Sequence, residues 1–138
     1  MIRPLLLAAF DYRVFRGFAL VWMALIFYLS AQPSLGLPGL FEGQDKVMHF
    51  VTYGVLGFLV ARGIGPVRGE FSWRRMFAAI AFTVAYGISD EFHQSFVPGR
   101  SPSVFDLLAD ALGALAGAWF ARHLGEIPAR AREDNDVA

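Results

Sequence analysis

The chain has 138 residues, enough for one domain of ordinary size, and it carries no cysteine, which excludes disulfides, thiol catalysis and cysteine-ligated zinc. Apolar residues make up 56% of it and charged residues only 17%, where soluble domains hold roughly 45–50% and about 25%. Its formal net charge of zero lacks the basic excess of a nucleic-acid binder, and a mean hydropathy of +0.47 points to a membrane chain.

In chain order, Met1 to Phe10 (MIRPLLLAAF) is too short to span a bilayer and is expected at the interface. A first membrane helix is predicted over 14–31, after Arg13 and Arg16. The apolar core begins too far from the start for an ordinary cleaved leader, so it is read as a retained anchor. Pro33 to Gly39 punctuates the chain before a second helix over 47–64 (VMHFVTYGVLGFLVARGI). A third is predicted over 76–93 and a fourth over 104–123. Each approaches the roughly 20 apolar residues that a bilayer core requires, and none has the polar outer face of a soluble bundle helix. The small residues Gly54, Gly57, Gly113 and Gly117 suit close helix approach. The expectation is an all-α polytopic membrane protein, a four-transmembrane-helix bundle in one domain over 1–125. Residues 126–138 are expected to form a disordered cytoplasmic tail.

The basic residues set the expected orientation. Lys46 and Arg100 border the loops on one side, and the other ten of the 12 positive residues lie before helix one, around the second loop or after helix four. By the positive-inside rule both termini are cytoplasmic.

The two outer loops are bordered by polar residues that are costly at membrane depth and are therefore candidates for function. Asp45, Lys46, His49 and Tyr53 lead into helix two. Tyr86, Ser89, Asp90, Glu91, His93 and Gln94 close helix three, Arg100 follows, and Asp106 and Asp110 open helix four. Asp45 and His49, Asp90 and Gln94, and Asp106 and Asp110 are each four apart, and Asp90 and His93 three apart, so each pair shares a helix face. Glu91 points about 100° away from Asp90, which assigns the two carboxylates different partners. Plain structural roles exist too: Ser103 and Asp106 suit a helix start, Lys46 and Asp45 an interfacial ion pair, and Arg100 a headgroup anchor.

The stretches FYLSAQP (27–33), DKVMHFVTYGVLGFL (45–59) and SDEFHQSFVPGRSPSVFDLLADALGALAG (89–117) resemble the VanZ-like family, with similarity across all four predicted helices. Asp110 stands where that family often carries Asn. The family takes its name from a member linked to teicoplanin resistance, so the resemblance implies a cell-envelope role in a bacterial plasma membrane. It implies no settled chemistry.

Two main functions follow from the residues. As an enzyme acting on a lipid or lipid-linked phosphate, the chain would use His49, Asp90, Glu91 and His93 as catalytic candidates. Lys46, Arg100, Gln94 and Asp45 would hold the substrate or its phosphate. No cofactor is firmly implied, but Glu91, His93, Asp106 and Asp110 form a candidate set for a divalent metal such as Zn²⁺ or Mn²⁺. As a binding protein, the same groups would recognise a membrane lipid or lipid-linked envelope precursor without turnover. A transporter would need a homo-oligomer, since four short helices make too thin a path. In a purely structural role, the charges would pin the outer helix ends.

Overall fold

A computed structural model describes residues 12–33, 36, 38–64 and 72–136, with the side chains of 125–136 excepted. Four helices and no strand are present among them: α1 (Tyr12–Ser30), α2 (Gln44–Gly63), α3 (Trp73–Gln94) and α4 (Val104–Asp136). The opening segment Met1 to Phe10, Arg3, Arg68 and most of the α2–α3 loop lie outside the described residues.

The helix starts differ from the apolar windows for a local reason. α2 begins at Gln44, ahead of the expected start at 47, with Asp45 in its first turn, where a carboxylate meets the positive end of the helix. α3 begins at Trp73 after Ser72, whose Oγ accepts the Arg75 N–H at 3.4 Å. Hydropathy locates the apolar middle of a helix, whereas caps and first-turn charges set its end. α4 has a helical backbone through Asp136.

The helices run alternately up and down. At one end the start of α1 meets the end of α2, where Arg16 Nε donates to Gly63 O at 2.7 Å. At that end also, the Arg122 guanidinium of α4 lies 3.8 Å from the Trp73 ring centroid at the start of α3. Ser30, Gln44, Gln94 and Val104 mark the opposite end. Arg16, Arg62, Arg74, Arg75 and Arg122 lie at the first end, and Asp45, Asp90, Glu91, Asp106 and Asp110 at the second, together with Lys46 and Arg100.

The most extensive helix pair is α2 with α4, and α1 packs mainly on α2. Glycine makes the first contact possible. A Cβ on Gly57 would lie 2.7 Å from Ala114 O, and one on Gly113 or Gly117 would collide with the Phe50 or Gly54 carbonyl oxygen. Backbone thus meets backbone along this seam, as small residues permit. The buried interior is built from small residues, Ala61, Ala79, Ala114, Ala118 and Ala121, together with Tyr53, Leu56, Thr83 and Asp110. Large apolar side chains point outward instead: Val21 is 68% exposed, Val51 55%, Phe77 61% and Leu112 58%. Every helix contributes to this apolar exterior, the reverse of a soluble bundle.

Among the described residues two helices are long and apolar enough to cross a membrane: α1, with mean hydropathy 1.4, and the Val104–Leu124 part of α4, at 1.5. α2 and α3 do not reach that measure. Their ends carry Asp45, Lys46, His49 and Arg62, and Arg74, Arg75, Asp90, Glu91 and His93 respectively.

Candidate functional site

At the end opposite Arg16, Arg62 and Arg122, α2, α3 and α4 bring their polar residues inward. His49 is reached from two sides by α4. Its Nδ1 lies 2.9 Å from Asp110 Oδ1, and its Nε2 lies 4.0 Å from Asp106 Oδ2. The four-residue spacing of Asp106 and Asp110 puts both on the α4 face that meets α2. One turn before His49, Lys46 Nζ lies 2.9 Å from Asp106 Oδ1 and also pairs with its neighbour Asp45. The Lys46 ammonium holds the Asp45 carboxyl below its ordinary range. Asp45 and then Asp106 hold Lys46 above its own.

Glu91 joins from α3. Its Oε2 accepts the Ser103 N–H at 2.9 Å, which ties α3 to the start of α4. One ligand atom from each of His49, Glu91 and Asp110 falls within 4.8 Å of the others. Asp110 is 0% exposed and Glu91 7%, yet Asp110 Oδ2 and Glu91 Oε1 have no hydrogen-bond partner. Gly87, one turn before Glu91, leaves room for this arrangement: a Cβ there would lie 3.1 Å from Asp110 Oδ2 and 3.2 Å from the Tyr53 ring.

Asp90 belongs to a second cluster, as its 100° offset from Glu91 requires. Its Oδ1 accepts from Ser30 Oγ at 2.6 Å and its Oδ2 from Gln94 Nε2 at 3.0 Å. His93 Nδ1 lies 3.4 Å from the same Ser30 Oγ, and its ring stacks on Phe27 at 4.5 Å between centroids. Asp90 and His93 therefore meet α1 side by side, joined through Ser30.

The structure regroups the expected metal ligands. Glu91 and Asp110 are joined by His49, while His93 faces α1 and Asp106 is engaged by Lys46. Arg100, expected at a phosphate, turns to the end of α1: Nε donates to Gln32 O at 2.9 Å and an Nη to Leu29 O at 3.1 Å. Gly99 before it has φ 84, a left-handed conformation that suits glycine, and packs against the Pro33 carbonyl. Arg100→Ala is expected to lower stability by about 1–3 kcal/mol by leaving these helix-end carbonyls unpaired, with Arg100→Lys recovering part of it. Thermal unfolding in detergent micelles measures this, and an unchanged midpoint would return Arg100 to the pool of ligand-binding groups.

Sequence reasoning passed over Ser30. Its signal was a hydroxyl at the end of an otherwise apolar helix, but only the fold shows that it faces Asp90. Tyr86, the first residue of the polar run that closes the third helix, donates its hydroxyl to Met23 O at 2.7 Å.

A helical bundle with an apolar exterior and ionisable residues buried toward one end has the make-up of a membrane-type helical protein. Residues 15–125 match the family model described as VanZ/LLP1, and the chain belongs to that family. Neither the curated proteins nor the solved structures include a match to it.

Proposed function

We propose that this VanZ/LLP1 family member crosses a bacterial plasma membrane four times, with both termini in the cytoplasm. On this reading its polar end faces the periplasm or exterior and recognises the head of a membrane lipid or lipid-linked envelope precursor. The observation that carries the reading is the convergence of His49, Glu91 and Asp110 from three helices within 4.8 Å. Burying a carboxylate oxygen without a hydrogen-bond partner costs stability, and Glu91 Oε1 and Asp110 Oδ2 are both left so, which favours a ligand at this place. The apolar exterior of all four helices supports four spans, and the arginines at the far end support the orientation. The His49–Asp110 pair is also the group best placed for proton transfer, should the bound head be modified as well as held. The family's name ties this role to teicoplanin tolerance, through access of the drug to lipid-anchored precursor.

A second reading rests on Ser30, Asp90, Gln94 and Arg100. Their bonds join α1 to α3 and to the loop after it, and could pin helix ends with no ligand at all.

The chain lacks cysteine, so one introduced thiol reports topology cleanly. Glu42→Cys should react with a membrane-impermeant maleimide on intact cells, and Glu70→Cys only after permeabilisation; the reverse pattern would invert the orientation. Purified wild-type protein is expected to retain a phosphate-bearing lipid in native mass spectrometry. His49→Ala should lose that lipid and the teicoplanin tolerance conferred by wild type, at equal membrane abundance. Unchanged lipid retention and tolerance would leave the structural reading.

A further inference from the structure

We propose that His49, Glu91 and Asp110 hold a divalent transition-metal ion of the Zn²⁺ or Mn²⁺ kind. The inference deepens the headgroup reading and rests on it for the ion's purpose, though not for the ion's presence.

Three observations meet at this place. The first is geometric: one ligand atom from each residue lies within 4.8 Å of the other two. An ion bound at roughly 2.0–2.2 Å needs its ligand atoms somewhat closer together, so binding requires the side chains to contract around it. The second is the pair of unsatisfied oxygens. Asp110 Oδ2 and Glu91 Oε1 are buried without a hydrogen bond, on side chains that are themselves more than nine-tenths buried. A buried carboxylate oxygen with no donor is the group a cation satisfies.

The third is charge. Among these acids Asp106 has its cation in Lys46, 2.9 Å away. Glu91 and Asp110 have none, since Glu91 receives only a backbone N–H and Asp110 only the imidazole. With its ligands deprotonated, as metal binding requires, the two carboxylates and a neutral imidazole would carry two negative charges, which one divalent ion cancels. An imidazole with carboxylates and no thiolate suits zinc or manganese.

The ligand positions also give access from one side. Asp110 is fully enclosed, whereas the His49 side chain is 18% exposed and Lys46, next to it, 40%. An ion here would present a coordination position toward the outer loops. It would supply the positive charge for a phosphate head that Arg100, held on carbonyl oxygens, does not.

The test uses full-length protein purified in detergent without chelator, incubated with Zn²⁺ or Mn²⁺, desalted and analysed by elemental mass spectrometry. Wild type is expected to hold about one ion per chain. Glu91→Gln should reduce this at least tenfold, while Glu42→Gln, on an exposed loop residue, should not. Glu91→Gln keeps an oxygen for the Ser103 N–H, so it should fold, and far-UV circular dichroism checks that. If Asp110→Asn fails to fold, Glu91→Gln together with the visible spectrum of cobalt-loaded wild type still decides. Wild type that takes up no stoichiometric zinc or manganese would overturn the proposal, as would uptake unaffected by Glu91→Gln. Lipid retention in metal-free protein separates the two readings: lipid kept without metal leaves the headgroup site standing alone, and metal held without lipid leaves the ion site alone.

Discussion

Replacing Gly117 with leucine is expected to break the bundle between α2 and α4. The position admits not even a methyl group, because a Cβ there collides with the Gly54 carbonyl oxygen and also approaches Phe58 N within 2.9 Å. Both obstacles are backbone, which cannot rotate aside as a side chain can. Overpacking inside a flexible core costs about 1–3 kcal/mol, and this case belongs at the upper end or beyond. Gly117→Ala should already lower the unfolding midpoint in detergent, and Gly117→Leu should yield little monodisperse protein. Function should fail with the fold, since the same contact sets His49 of α2 against Asp106 and Asp110 of α4. A Gly117→Leu variant as stable as wild type would mean that the two helices do not touch there.

Asp90→Ala is the second substitution expected to act strongly. It removes the acceptor of Ser30 Oγ and of Gln94 Nε2, leaving the buried Gln94 amide unpaired and Ser30 with only His93 Nδ1 at 3.4 Å. Hydrogen bonds to a charged group contribute about 1.5–3 kcal/mol each, so the combined loss is roughly 2–4 kcal/mol once partial relaxation is allowed. Asp90→Asn should lose less, because the amide oxygen still accepts from Ser30. A double-mutant cycle of Asp90→Ala with Ser30→Ala is expected to show a coupling of about 0.5–3 kcal/mol, read from thermal or denaturant unfolding. Additive effects would show that the α1–α3 tie contributes nothing. The comparison with Glu91→Gln is informative: adjacent carboxylates on one helix should separate, one mainly affecting stability and the other mainly affecting ion uptake.

Much of the candidate site was legible in the linear pattern. Asp90 and Gln94 were placed on one helix face by spacing, and they hydrogen-bond at 3.0 Å. Asp106 and Asp110 were placed together likewise, and both face His49. The i, i+4 relation is a property of the helix itself, so no tertiary knowledge was needed. Choosing between His49 and His93 as the companion of Glu91 and Asp110 was different. Both imidazoles lie toward the same end of the bundle, and sequence separation cannot rank contacts between helices. Arg100 shows the same limit, since a guanidinium in a loop reaches either a ligand or a nearby carbonyl, and only the position of α1's end decides.

The sequence by itself determined four helical segments, their apolar middles, the segregation of basic residues and the polar character of one end. Each depends on neighbours within a few turns, through hydropathy, helical period and local charge. The tertiary structure decided which of those polar residues meet. The glycine seam brings α2 and α4 to backbone contact, so His49 falls to Asp110, while α1 approaches α3 and takes Asp90 and His93 through Ser30. Which helices touch, and in what rotation, is set by the fit of whole surfaces, and no stretch of the chain carries that information alone.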